Sequence, residues 1–160
     1  MPTKNKRDGT ITLQDKLENS IIIAFEEGDL SWSEEQPCDT VLDRGSIVGA
    51  RRTDDMPVTG SFSTKYVQLL KQTTEGNPTA YEAMTFSGAA SSWVSTLNCN
   101  NKVQCITIIY TIASKCDGEE GETITFNYCH CNKVDFSESD ESSLTFDFTD
   151  YEIKPTIAKT

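Results

Sequence analysis

The chain has 160 residues, 36% of them hydrophobic and 24% charged, with 25 Asp and Glu against 14 Lys and Arg for a formal net charge of −11. This is the composition of one globular domain and excludes wholesale disorder. The acidic excess speaks against tight binding to a phosphate backbone, which Lys and Arg drive by releasing counterions. No run approaches the ~18 apolar residues of a spanning helix, the longest being IIIAF at 21–25, so no membrane partner is expected.

In chain order, the N-terminal MPTKNKRDGT is basic but lacks the apolar stretch of a secretory signal, which points to a cytoplasmic product. The dominant period beyond it is two. SIIIAFE at 20–26 predicts a short buried strand, and in GDLSWSEE the residues Leu30 and Trp32 alternate with Asp29, Ser31 and Ser33, as in a strand with one wet face. Next comes DRGSIVGARRTDDMPVTGSF at 43–62, which gathers Arg44, Arg51 and Arg52 among Asp43, Asp54 and Asp55, with Gly45 and Gly49 giving bending freedom. A charged segment of this kind cannot enter its own core, and ordered loops of such length are uncommon unless functional. One reading is a solvated acidic and basic hairpin without a role. The preferred one is a self-association element in which Arg44, Arg51, Arg52, Asp54 and Asp55 contact another copy, since Arg–carboxylate pairs suit such boundaries.

PVTGSFSTKYVQLL then alternates Val58, Phe62 and Tyr66 with Thr59, Ser61, Ser63 and Lys65. GNPTAYEAMTF breaks the period and predicts a helix, with two competing starts. Either Asn77 caps it with Pro78 in the first position, or Thr79 and Glu82 form a capping box. This helix is expected over an open end or face of the sheet, burying Tyr81, Met84 and Trp93. CITIIYTIAS places Ile106, Ile108, Tyr110 and Ile112 on one face, ETITFNYCHC does so with Ile124, Phe126 and Tyr128, and SLTFDFTDYEI with Leu144, Phe146, Phe148 and then Tyr151. Six or seven strands parted by Gly, Asp and Ser turns predict a mainly β fold, an antiparallel β-sandwich or barrel with one flanking α-helix and a long inter-strand loop.

Six cysteines, Cys38, Cys99, Cys105, Cys116, Cys129 and Cys131, need an account. Zinc is disfavoured because paired ligands do not recur, and on a strand His130 would face away from Cys129 and Cys131. Disulfides require an oxidising compartment. Cys99 and Cys116 flank one strand and Cys105 and Cys129 lie in neighbouring ones, so both bridges and packed, reduced thiols stay open, the latter preferred. The acidic DFSESDESS at 135–143 lacks the ligand spacing of a calcium loop and reads as a solvated turn. No phosphate-cradling glycine loop, zinc-protease helix or nucleophile elbow is present. No catalytic residue, metal ligand or cofactor is expected, and the chain is not expected to be an enzyme.

Several segments in order, KRDGTITLQD at 6–15, FEEGDLSWSEE at 25–35, LDRG at 42–45, RRTDDMPVTGSFS at 51–63, PTAYEAMTFSGAASSWVST at 78–96 and DFSESDESSLTFDFTDYE at 135–152, resemble the tail tube (major tail) proteins of long-tailed bacteriophages. The resemblance implies a single tail-tube-like β-sandwich over 1–160, with 1–9 and 153–160 as terminal arms and 36–57 as the assembly loop. It implies a virion structural protein, assembled in the host cytoplasm into stacked hexameric rings of the viral tail tube. Inner sheets would join edge to edge around an acidic lumen through which DNA passes at ejection without specific binding. Initiator and terminator proteins of the tail would be further partners. The alternative is a secreted, disulfide-stapled β-sandwich binding module.

Overall fold

Alternating β-branched and aromatic residues build the body of the molecule. The computed structural model describes residues 9–23, 30–65, 78–97, 103–112, 121–137 and 143–159. Among these the strands are β1 (Gly9–Gln14), β2 (Ser20–Ile23), β3 (Ser31–Ser33), β4 (Cys38–Asp43), β5 (Ser46–Arg52), β6 (Val58–Lys65), β7 (Ile106–Ile112), β8 (Glu122–Ser137), β9 (Ser143–Asp150) and β10 (Thr156–Lys159), with one short helix, α1 (Ala80–Thr85), before β7.

All pairings are antiparallel, and the main sheet runs β2-β1-β7-β8-β9-β6-β3. The long strand β8 serves two wings. Its first half pairs with β7 on one edge and with β10 on the other, while its second half pairs with β9. The wings face each other across an aromatic core. Phe126 of β8 lies edge-on to Trp32 of β3, ring centroids 5.5 Å apart, and to Phe148 of β9 at 5.6 Å, while Phe62 packs on Phe146 at 5.2 Å. Ile11, Leu13, Ile106, Ile108 and Leu144 complete this core. The mainly antiparallel β architecture is therefore as expected. It is a sheet folded over itself, and among the described residues β2 and β3 do not pair to close a barrel.

Several faces differ in detail from the alternation. Ile21 and Ile23 are buried, but Ile22 between them is exposed, so 20–23 is a one-sided strand. Ile22, Thr12, Ile109, Thr125 and Thr156 form one row across five strands on the solvent side. Threonine suits that position because a β-branched hydroxyl side chain both fits the pleat and stays wet. Tyr128 and Tyr151, expected inside, are exposed, because Phe126 and Cys129 are both buried and the strand slips by one residue between them. Asp150, not Tyr151, takes the next inward position of β9. At β6, a Cβ on Gly60 would fall 2.5 Å from the Ser31 carbonyl oxygen, so only glycine lets β3 come this close.

Of the two possible helix starts, Thr79 prevails. Its Oγ1 accepts from the Glu82 N–H at 3.2 Å, and Glu82 Oε1 accepts from the Thr79 N–H at 3.2 Å. Asn77 lies outside the described residues, as do Tyr66, Cys99 and Cys116. Met84 is buried, while Tyr81 and Trp93 pack half-buried against the core.

The β1–β2 turn has no glycine, and a buried aspartate organises it instead. Asp15 Oδ1 accepts from the N–H groups of Leu17 (3.0 Å) and Asn19 (2.8 Å), and Oδ2 from Asn19 Nδ2 and from the Val94 N–H, each at 3.0 Å. The same side chain thus closes a turn and ties it to the segment after the helix. Asp15→Ala removes the acceptor of three backbone donors at exposed or half-buried residues, each such bond contributing about 0.5–1.5 kcal/mol. We expect it to lower stability by about 3 kcal/mol, measured by urea unfolding, with Asp15→Asn losing less because its Oδ1 still accepts from the Leu17 and Asn19 N–H groups.

Candidate assembly interface

The segment 36–57, expected as a loop, is a two-stranded hairpin formed by β4 and β5, a sheet of its own apart from the body. Its tip, Asp43-Arg44-Gly45-Ser46, has left-handed backbone at both central residues, Arg44 (φ 51°) and Gly45 (φ 85°). That is the turn whose twist matches a hairpin, and glycine supplies the second position without strain. A slip in register at Val41/Leu42 adds a bulge. At the base, the Thr53 N–H (3.2 Å) and Oγ1 (3.1 Å) both donate to the Pro37 carbonyl and close the hairpin.

Every residue of both strands is exposed, including four aliphatic ones. Leu42 and Ile47, directly opposite each other, are 59% and 76% exposed, and Val41 and Val48 are also uncovered. Thr40 and Ala50 share the Leu42/Ile47 face, by the two-residue alternation from their own pairing. An isolated two-stranded hairpin is at best marginally stable in water. An aliphatic cluster on such an arm is the kind of surface that another protein covers.

The expected charged residues divide between its two ends. Arg51 and Arg52 close β5, with Arg51 opposite Asp39, and Asp54 and Asp55 follow at once. Arg52 and Asp55 form an exposed ion pair at 3.1 Å. Asp39, Arg51, Arg52, Thr53 and Asp54 line one open groove at the base. Arg44 stands at the tip, roughly 20 Å away at about 3.3 Å per residue, so the structure gathers four of the five and leaves the fifth alone. The aliphatic residues between these ends are not among the expected interface residues. Their signal was present in TVLDRGSIV, two short β-rich runs about a two-residue turn.

Cys38, Cys105, Cys129 and Cys131 are free thiols. Burial and then the nearby Asp150 carboxyl push Cys105 up to about 11, burial raises Cys129 and Cys131 as well, and such thiols are poor nucleophiles. His130 turns its Nδ1 to the Gln104 carbonyl at 3.0 Å. Among the described residues no three His, Cys, Asp or Glu side chains converge as metal ligands, and no helix is long and apolar enough to cross a membrane.

Two solved structures share this fold. The chain matches, over 99% of its length and 96% of the other, a chain of the anti-feeding prophage baseplate in its six-fold symmetrised cryo-EM structure, with a TM-score of 0.63 at 9% sequence identity. It also matches the SPP1 tail tube, covering 99% of this chain and 79% of that one, with a TM-score of 0.53 at 10% identity. Compared by sequence, it matches no family model and no curated protein. At these identities the likeness is one of fold, and that fold is tail-tube-like.

Proposed function

We propose that this protein is a major tail protein, a structural subunit of a bacteriophage tail tube that assembles into stacked hexameric rings around an acidic channel for DNA. The β4–β5 hairpin carries the reading: it is a fully exposed arm with aliphatic residues along its length and charges at both ends. In a ring or stack it lies on a neighbouring copy, which covers Leu42 and Ile47 and pairs Arg44, Arg51 and Arg52 with carboxylates. Two structures of the same fold are a tail tube and a six-fold symmetrised baseplate, which supports six copies per ring. A net charge of −11 per subunit suits a passage along which a polyanion must slide without adhering. The protein acts by shape and self-association rather than by catalysis, located in the virion tail after assembly in the host cytoplasm, with initiator and terminator proteins as further partners.

Negative-stain electron microscopy of the purified protein at rising concentration, with light scattering for the solution mass, tests this directly. Rings or hollow tubes are the expected result, and a monomer at every concentration, even with tail initiator present, would refute it. Reversing the three charges together (Arg44→Glu, Arg51→Glu, Arg52→Glu) is expected to weaken assembly about tenfold or more. Exposed pairs contribute about 0.2–1 kcal/mol each, and reversal adds repulsion to that loss. Undiminished tubes from this triple variant would remove the arginines from the interface.

A further inference from the structure

Where β8 slips between Phe126 and Cys129, two consecutive backbone N–H groups are bonded by side chains rather than by a strand. The Tyr128 N–H donates to Asp150 Oδ1 at 3.1 Å, and the Asn127 N–H donates to Glu152 Oε1 at 3.1 Å. Asn127 Nδ2 donates to Glu152 Oε2 at 3.1 Å and to Thr156 Oγ1 at 3.3 Å. Two carboxyl groups, Asp150 at the end of β9 and Glu152 just beyond it, thus clasp the bulge, helped by the Tyr151 N–H on the Tyr128 carbonyl at 3.0 Å. Beyond the clasp, β10 holds to β8 over four residue pairs and all four of its residues are exposed. None of its four side chains is buried in the core.

The clasp has a defect that a proton repairs. Asp150 is fully buried, and its Oδ2 has no hydrogen-bond partner. Glu152 is its carboxyl neighbour, and two carboxylates cannot bond each other because both only accept. Neither is in an ion pair among the described residues. Among the described residues the surroundings offer no compensating cation: β8 presents Tyr128 and the buried thiol of Cys129, the segment before β7 presents the Cys105 thiol, and β6 places Val58 opposite. His130 is turned to Gln104, and Lys154 lies exposed farther along the turn. A proton on Oδ2 makes it a donor to Glu152 and satisfies both groups.

We propose that Asp150 and Glu152 share one proton and that this proton latches the C-terminal strand, so that its loss frees residues 151–159 from the edge of β8. Burial first, then the hydrogen bond that the protonated form makes to Glu152 and the Glu152 charge, push the Asp150 carboxyl up to about 8, against the pull of the Tyr128 amide. An acid whose folded value is raised binds its proton more tightly in the folded state. The stability it lends is complete below the unfolded value near 3.8 and is lost as pH rises through about 8. The latch is therefore closed at neutral pH and opens in mild alkali. It is internal to one chain and does not depend on the assembly reading.

The test is carbon-13 NMR of the full-length protein from pH 6 to 10, following the Asp150 carboxyl carbon and the methyl groups of Ile157 and Ala158. In the wild type the methyl signals are expected to move to unstructured positions with a midpoint near pH 8, together with the carboxyl titration. Asp150→Asn keeps an oxygen for the Tyr128 N–H and gives Glu152 a permanent donor, so its methyl signals hold their folded positions to pH 10. Glu152→Gln, which retains an acceptor for Asn127 and removes the charge, is expected to do the same, and serves if the first variant does not fold. Folded methyl positions in the wild type at pH 10, or the same transition in the folded variants, would overturn the latch.

Discussion

Leu42→Asp combined with Ile47→Asp is expected to abolish assembly at concentrations where the wild type polymerises, while the single chain melts at an unchanged temperature. The two side chains face each other on the hairpin and are mostly exposed. Surface changes of that kind shift stability by about ±0.5 kcal/mol at most. In an interface the same residues matter far more. Burying a leucine or isoleucine that starts mostly exposed contributes about 1.5–3 kcal/mol, and placing two unpaired carboxylates there adds a desolvation penalty. Together these should raise the concentration needed for assembly by at least about 100-fold, since each 1.4 kcal/mol is tenfold. Sedimentation and electron microscopy, run beside thermal melting, separate the two effects. Normal polymerisation by the double variant would show that this face of the hairpin meets water in the assembled state.

Phe126→Ala has the other large expected effect, on the fold itself. Phe126 is fully buried on the β7-paired half of β8 and packs on Trp32 and Phe148, both of the opposite wing, so it is a ring through which the folded sheet holds its two halves together. Truncating a buried phenylalanine costs about 3–5 kcal/mol, a large part of the ~5–15 kcal/mol that a domain commands. The two edge-on ring contacts favour the upper half of that range. Chemical denaturation followed by tryptophan fluorescence would report the loss and the loosening of the Trp32 environment at once. Phe136→Ala, at an exposed ring on the same strand, is the control and should cost about 1 kcal/mol or less. Equal costs at the two positions would mean that the wings are not joined through Phe126.

What was legible in the sequence was whatever alternation alone decides. Ile106, Ile108 and Tyr110 share a buried face because β7 runs straight between two partners. Leu144, Phe146 and Phe148 do so on β9 for the same reason. Alternation failed where a strand changes partner: at Asn127 and Tyr128, β8 passes from one wing to the other, and a slip of one residue turns Tyr128 outward. Asp150 was hidden for a related reason, since a charged residue in the inward register reads as the end of a strand until its partners on another strand are known. The hairpin at 38–52 was half visible. Its arginines and glycines mark a segment that needs a partner, but Arg44 in a left-handed position is an unusual turn former, so the two-residue turn that makes the expected loop a hairpin is not evident from the residues. Strand order lay beyond reach, because pairings such as β1 with β7 leave no local mark.

That strand order also sets a sequence of events in time. Leu13 finds its place beside Ile108 and Phe62 beside Phe146 only after most of the chain exists, whereas β4 and β5 are joined by a two-residue turn. Hairpins form in about 1–10 μs, while sheets built from distant segments take milliseconds to seconds. A ribosome adding ~5–20 residues per second needs roughly 5–20 s more after residue 52 to reach the end of β9. During that interval a nascent chain can sample its β4–β5 arm before the core that will carry it has closed, so under the proposed function the docking element precedes the body.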